Sequence, residues 1–547
     1  MNTKPNVVLI FADDLGYGDV SIFNPDSKIK TKNLDRLAKR GMRFTDSHAT
    51  SALCTPSRYG LLTGRYNWRS RLKSFVIPGD SETLIEQDRK TIAQLLKDEG
   101  YNTAAVGKWH LGLDWTMLGY KDFDRFQVDP NCLPEEAEPR QGREGNFDIQ
   151  DLWPGIEGLD IDYDKPIKYG PNQYGFDYFF GTSASLDQPP FVYIENDRVV
   201  EKPTVITGVP RLDRNTGSMQ RQWQIGPAAP EFSHIKVPDD MQAKVLELID
   251  DYSKKEEPFF IYYPNHLVHG PLLPNAEHKG KSEVGVYGDF VLQLDTYVGE
   301  IIDKLEELDE FDNTIFVFTS DNGVSGVAGI EELKAQGHDP SYHFRGKKSD
   351  IWEGGHREPT IISYPPMIEG DSVSEQMVSH SDLYRTLADI LSVEIGDDVA
   401  EDSISNLSLW KGDNEQIRKD IVHSSGVGGF SIRRDFWKLN LVKDGGGMQM
   451  IGELQEGTNN NELFKATELY DLRDDISETN NIIDEYPEVV EELKNALADY
   501  IRSGRSTDGT DQPFASSQYD GTWPQIGWME DSEQIINNQA NEDKDKS

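Results

Sequence analysis

The chain has 547 residues, with 55 Lys and Arg against 96 Asp and Glu, a formal net charge of −41. Hydrophobic residues make up 36% and charged residues 28%, enough for a large core and too apolar for a disordered chain. That acid excess argues against a nucleic-acid or anionic-membrane partner, whose binder carries a basic footprint. A mean hydropathy of −0.61, with no apolar run near ~18 residues, excludes a membrane-embedded chain. Two cysteines, Cys54 and Cys132, allow one bridge at most, and Cys132 reads as a bystander. Met1 leads almost at once into a strand-like run, so no signal peptide is expected.

Residues 7–11 (Val-Val-Leu-Ile-Phe) form a continuous apolar run that stops at Asp13-Asp14, the pattern of a strand buried on both faces of a parallel sheet. Residues 33–41 have helical spacing with Gly41 as a C-cap, and residues 91–100 repeat the device before a short strand at 103–106. Residues 114–172, rich in Pro, Gly, Asp and Glu, read as a long irregular insertion. An amphipathic helix over about 289–308 precedes a second apolar strand at 314–318, which ends in Ser320-Asp321-Asn322. From about 415 the pattern shifts to short strands at 430–433 and 437–442 and a helix at 487–503. The expected organisation is a catalytic domain over 1–414, a smaller α+β domain over 415–527 and a polar tail over 528–547. The alternation of strands and helices implies an α/β fold with a mainly parallel central sheet flanked by helices.

Asp13-Asp14 and Asp321-Asn322 each follow the C-terminal end of an apolar strand, the edge where open α/β sheets bind ligands. Three carboxylates and an amide carbonyl are hard oxygen ligands suited to Ca²⁺ or Mg²⁺. The plain alternative is that each Asp is only a turn residue or helix cap.

Residues 54–65 (Cys-Thr-Pro-Ser-Arg-Tyr-Gly-Leu-Leu-Thr-Gly-Arg) tip the balance, because the string resembles the signature of the type I sulfatases of the alkaline phosphatase superfamily. The resemblance continues through Pro5–Asp19, Gly107-Lys108-Trp109-His110, Asn265-His-Leu-Val-His269-Gly-Pro271, Thr319–Gly323 and Arg345–Gly355. A weaker match runs over residues 181–187, and Leu469-Tyr-Asp-Leu472 with Glu478-Thr-Asn480 resembles the family's C-terminal ending.

The resemblance implies an alkaline-phosphatase-like fold and conversion of Cys54 to Cα-formylglycine by a formylglycine-generating or anaerobic maturation enzyme. It implies one Ca²⁺, with Mg²⁺ second choice, held by Asp13, Asp14, Asp321, Asn322 and the modified Cys54. Arg58, Lys108 and Lys348 would clamp the sulfate, His269 would protonate the leaving group, and His110 would serve as base when sulfate is expelled. Only a hydrated aldehyde carries the second hydroxyl that this last step requires, which is why an unmodified Cys or Ser would not serve.

Ser185 and His343 are further candidates for binding substrate, and His338 and His356 for lining the cleft; His266 is left out of the site. Trp115, Trp153, Tyr169 and Tyr174 are candidates to stack on sugar rings, which favours a sulfated carbohydrate over a simple aryl sulfate ester. Resemblance suggests a periplasmic or secreted enzyme, with a cytoplasmic one left open by the lack of a leader. Two readings compete: a phosphomonoesterase or phosphodiesterase of the same superfamily, and a non-catalytic sulfoglycan-binding protein.

Overall fold

Strand Asn6–Ala12 is apolar through Val7–Ala12 because it sits inside a ten-stranded sheet, hydrogen-bonded on both sides and covered on both faces. Val7, Leu9 and Phe11 face one core, while Val8, Ile10 and Ala12 face the other. The computed structural model describes residues 4–122, 124–128, 155–208, 223–450, 460–514 and 522–537.

Five neighbouring strands of this sheet are parallel, in the order Thr314–Ser320, Asn6–Ala12, Phe259–Pro264, Asn102–Lys108 and Tyr178–Thr182. On one side Thr360–Ser363 runs antiparallel to them, followed by Met42–Phe44 and, parallel to it, Ser372–Ser374; on the other, Ile194–Glu195 and Arg198–Val199 add two successive antiparallel pairings. Helices Lys32–Lys39, Val237–Tyr252 and Gly285–Glu307 turn their apolar stripes to one face; Cys54–Thr63, Ile92–Asp98 and Asp382–Ile390 cover the other. Burying one such Leu, Ile or Val side chain is worth ~1.5–3 kcal/mol, so two facing cores make a rigid platform for the sheet's edge. The expected mainly parallel α/β architecture is what forms.

Two segments differ from expectation. Within 114–172, Ile156, Leu159, Ile161, Tyr163 and Ile167 are buried in the main core, so this polar-looking stretch contributes packing. Trp115 and Tyr174 are buried with it: Trp115 Nε1 donates to the Gly79 carbonyl at 3.2 Å, and the Tyr174 hydroxyl donates to Ile85 at 2.6 Å. Trp115 and Tyr174 are thus packing residues, and Tyr169 packs on the same cluster while staying partly exposed. Trp153 and Cys132 lie outside the described residues. In the expected polar tail, Met529 is buried and Arg502 pairs with Asp531 at 2.7 Å, so its described part, to residue 537, packs on the fold.

Strands Asp420–Ser424, Phe430–Arg434, Trp437–Leu441 and Glu468–Asp471 form an antiparallel sheet packed on helix Pro487–Ser503. Val490, Leu493, Leu497 and Ile501 of that helix meet Ile432 and Leu439 in one core with Tyr66 and Trp68, so the small sheet is fused to the first part of the chain.

Candidate active site

All five parallel strands deliver polar residues to one carboxyl edge. Asn6–Ala12 runs into Asp13 and Asp14, Thr314–Ser320 into Asp321 and Asn322, and Phe259–Pro264 into Asn265–His269. Strand Asn102–Lys108 ends on Lys108 and continues to His110, and Tyr178–Thr182 continues to Ser183 and Ser185. Asp14 and His110 adopt positive φ of 64° and 53°, a conformation that costs non-glycine residues ~1–3 kcal/mol. Hydrogen bonds hold both in place: Asp14 N–H to Asp321 Oδ1 at 3.1 Å, and His110 N–H to the Ser183 carbonyl at 2.9 Å.

Cys54 opens helix Cys54–Thr63 and is 2% exposed, unpaired and buried in the site. The ligand atoms of Asp13, Asp14, Cys54 and His269 lie within 4.8 Å of one another. One turn along the same helix face, Arg58 reaches Asp321 Oδ2 at 2.6 Å and Asp13 at 3.5 Å. Lys108 Nζ meets Asp13 at 2.8 Å, and Lys348 Nζ meets Asp14 at 2.6 Å. The Lys348 loop is fixed by two backbone bonds, Lys348 N–H to Val324 at 2.9 Å and Ser349 N–H to Ala52 at 2.7 Å.

The donor set fits a hard divalent cation. Asp13, Asp14, Asp321 and Asn322 are all buried, and the Asn322 side-chain oxygen has no hydrogen-bond partner although its amide donates to Asp14 at 2.8 Å. An orphaned buried carbonyl beside three carboxylates is what an oxygen-ligated ion would satisfy. Burial and the Asp13 charge push Asp321 up to about 6, so the carboxylates repel one another. Burial alone would raise Asp13 too, but Lys108, His269 and Arg58 outweigh it and hold that carboxyl well below the usual range.

The two histidines are set for opposite roles. Burial, then the charges of Lys108 and Arg58, hold His110 well below the ordinary imidazole value, so it is neutral. Its Nε2 faces the Ile77 carbonyl at 3.0 Å, and a carbonyl only accepts, so Nε2 carries the hydrogen and Nδ1 is a bare, unpartnered base. Burial and Lys348 oppose protonation of His269, yet Asp14 and Asp13 outweigh them and raise it to about 9. His269 Nδ1 donates to the Gly270 carbonyl at 2.6 Å, leaving Nε2 3.7 Å from Asp14.

The remaining candidates scatter. Ser185 is buried beside this edge and donates to Asp187 at 2.6 Å. His343 is exposed, its ring against Tyr342 and Phe344, and among the described residues that ring makes no hydrogen bond to the site. His338 is buried against Asp19 at 2.8 Å, away from the cleft expected for it. His266, left out on sequence, belongs nearer. Its Nδ1 is buried without a partner, Nε2 meets Thr182 at 2.9 Å, and burial pushes it down to about 3. The three-residue step from His266 to His269 was the available signal.

His356 does not line the cleft either. It stacks on His423 at 3.7 Å and meets His48 at 3.0 Å in a buried cluster with Asp46 and Glu353. Metal-like spacing is misleading here, because cations already occupy the cluster. Lys438 Nζ lies 3.3 Å from His356 and 3.0 Å from Glu353, and Arg433 lies 2.7 Å from Asp46. These pairs clamp the small sheet onto the large one.

A family model described as Sulfatase matches residues 5–393. An N-acetylgalactosamine-6-O-sulfatase of Bacteroides thetaiotaomicron is 33% identical over 533 residues, covering 90% of this chain and 92% of its own. Arylsulfatase A of Bos taurus is 28% identical, covering 90% and 86%. A solved structure from work on glycosaminoglycan metabolism by Bacteroides thetaiotaomicron superposes with a TM-score of 0.73 at 31% identity, covering 91% of this chain and 99% of its own.

Proposed function

The chain belongs to the sulfatase family, and from that premise we propose that it removes sulfate from a sulfated carbohydrate through Cα-formylglycine at position 54 and one bound Ca²⁺. The observation that carries this reading is the grouping of Asp13, Asp14 and His269 with Cys54, with Asp321 and Asn322 hydrogen-bonded to Asp14 and Arg58, Lys108 and Lys348 paired to these carboxylates. When present, the ion supplies positive charge against the sulfate oxygens and the hydrated aldehyde supplies the nucleophilic hydroxyl.

The rest is the work of the chain's own side chains. Arg58 and Lys108 offset the carboxylate charge, so an anionic ester can enter a pocket lined by three Asp residues. Lys348, on the fixed loop, adds a cation beside the place where sulfate would sit. His269 holds a proton at Nε2 at neutral pH and can give it to the departing alkoxide. His110 Nδ1, bare and neutral, can take a proton.

The preference for carbohydrate over aryl sulfate rests on the N-acetylgalactosamine-6-O-sulfatase relative. Two measurements test the proposal: the mass of the peptide spanning Cys54 from a host with a maturation enzyme, and sulfate release from a panel of monosulfated hexosamines set against phosphate esters. An unmodified Cys54 in an active preparation, or faster release of phosphate than of sulfate, would overturn it.

A further inference from the structure

Beside His110, residues 77–80 and 183–188 run side by side. His110 contacts both, through the Ile77 and Ser183 carbonyls, and a Cβ placed on Gly79 would lie 3.1 Å from Ser183 Oγ. Three carboxylates meet along this strip. Glu157 accepts the Gly79 N–H and leaves Oε2 buried without a partner. Asp80 accepts the Gly158 N–H at 2.9 Å, and Asp187 accepts the Ser185 hydroxyl at 2.6 Å. Burial, then the charges of Asp80 and Asp187, raise Glu157 to about 7, where a carboxyl can both donate and accept.

Acidic residues alone would say little, but the same strip holds other polar atoms with nothing to bond. Among the described residues, Ser183 Oγ, Gln188 Oε1, Trp223 Nε1 and His234 Nε2 are buried atoms without a partner. Ser183 is 2% exposed and His234 8%. His234 is held through the Leu186 backbone, lies within range of the Asp187 charge and stacks on Trp223 at 4.3 Å. Buried polar atoms are ordinarily paired by protein, water or a ligand, and these share one strip beside His110. Mixed donors and acceptors with an indole face suit hydroxyl groups on a sugar ring and not a second anion, which the carboxylates would repel.

We infer that Ser183, Glu157, Asp187, Gln188 and His234 bind free hydroxyls of the sugar that carries the sulfate, and so determine which carbohydrate is cleaved. The inference rests on the carbohydrate reading above and deepens it: the substrate is a monosulfated sugar whose neighbouring positions are hydroxyls.

The test uses the matured, metal-loaded enzyme on a panel of monosulfated sugars and on nitrophenyl sulfate, which has no such hydroxyls. Glu157→Leu, His234→Phe and Gln188→Ala should each cut kcat/KM on the best sugar at least tenfold more than on nitrophenyl sulfate, chiefly through KM. Gln188 is partly exposed, so its variant carries the same contrast if the buried substitutions disturb folding. Equal losses on both esters, or none on the sugar, would overturn the hydroxyl site alone. A wild type that hydrolyses nitrophenyl sulfate but no sulfated sugar would instead overturn the carbohydrate reading itself.

Discussion

Lys348 lies 334 residues after Asp14, yet its ammonium sits 2.6 Å from the Asp14 carboxylate. The pair joins the loop after residue 345 to the end of the first strand and places a cation at the rim of the site. Removing it leaves Asp14 with one charge partner fewer and the substrate anion without a clamp. Lys348→Ala should lower kcat by ~10²–10³-fold, the cost seen when one preorganised donor is lost, while Lys348→Arg should recover part of it. A Lys348→Ala enzyme within threefold of wild type would remove Lys348 from the clamp.

Cys54 opens its helix and lies outside the hydrophobic core clusters, so Cys54→Ala should leave far-UV circular dichroism unchanged while abolishing sulfate release. Cys54→Ser should be equally inactive unless the host's maturation system accepts serine. Measurable turnover by well-folded Cys54→Ala would exclude this residue as the nucleophile's source.

A hard-cation site makes metal content and stability move together. Chelation should lower the melting temperature and abolish activity, and added Ca²⁺ should restore both, because a ligand bound only to the native state stabilises it by mass action. Asp321→Ala should reduce metal occupancy as well as rate. Stoichiometric zinc without calcium or magnesium in an active preparation would refute the assignment.

The Asp46 clamp carries a pH signature. Burial would raise its carboxyl, but Arg357, Arg433 and His48 outweigh burial and hold it well below the usual value. A depressed folded pKa means the unfolded chain binds the proton more readily. The contribution is therefore present above the unfolded value of ~3.9 and fades as pH falls below it. Asp46→Asn should cost up to ~3–5 kcal/mol at neutral pH, because Arg433 loses its 2.7 Å carboxylate and then shares Glu353 with Arg357. Denaturant unfolding at pH 7 and at pH 3 should show the gap to wild type narrowing in acid; a constant gap would mean the pair does not set acid stability.

What the sequence revealed and hid follows from how far apart the interacting residues lie. The run at 7–11 is apolar at every position only because both faces are buried, so strand, edge and Asp13-Asp14 could be read together. His338 and His356 could not. Their partners, Asp19 and His48, lie 319 and 308 residues away, and a local flank beside Lys348 does not show that the fold turns them inward. The aromatics at 115 and 174 misled for a related reason: polar neighbours surround a few apolar anchors, Ile156, Leu159 and Ile161, that share a core with these rings. Ser185 was readable, but not that its hydroxyl faces Asp187 in a strip with Glu157 and His234.

The leaving group offers the sharpest test of the histidines. If His269 is the acid, its loss should hurt esters with alkoxide leaving groups more than esters that release a stable phenoxide, because the phenoxide departs without a proton. General acid catalysis contributes ~10²–10⁴-fold, and the gain shrinks as the leaving group needs its proton less. His269→Ala should therefore slow hydrolysis of a sulfated sugar far more than of nitrophenyl sulfate. His110→Ala, which removes a base and not the acid, should slow both esters to a similar degree, since the bare Nδ1 acts whichever alcohol has left. Comparing both variants on both esters, with S–O cleavage limiting the rate in wild type and in His269→Ala, separates the roles. Equal losses for His269→Ala on the two esters would take it out of the acid role and leave Lys348, 2.6 Å from Asp14, as the group positioned to replace it.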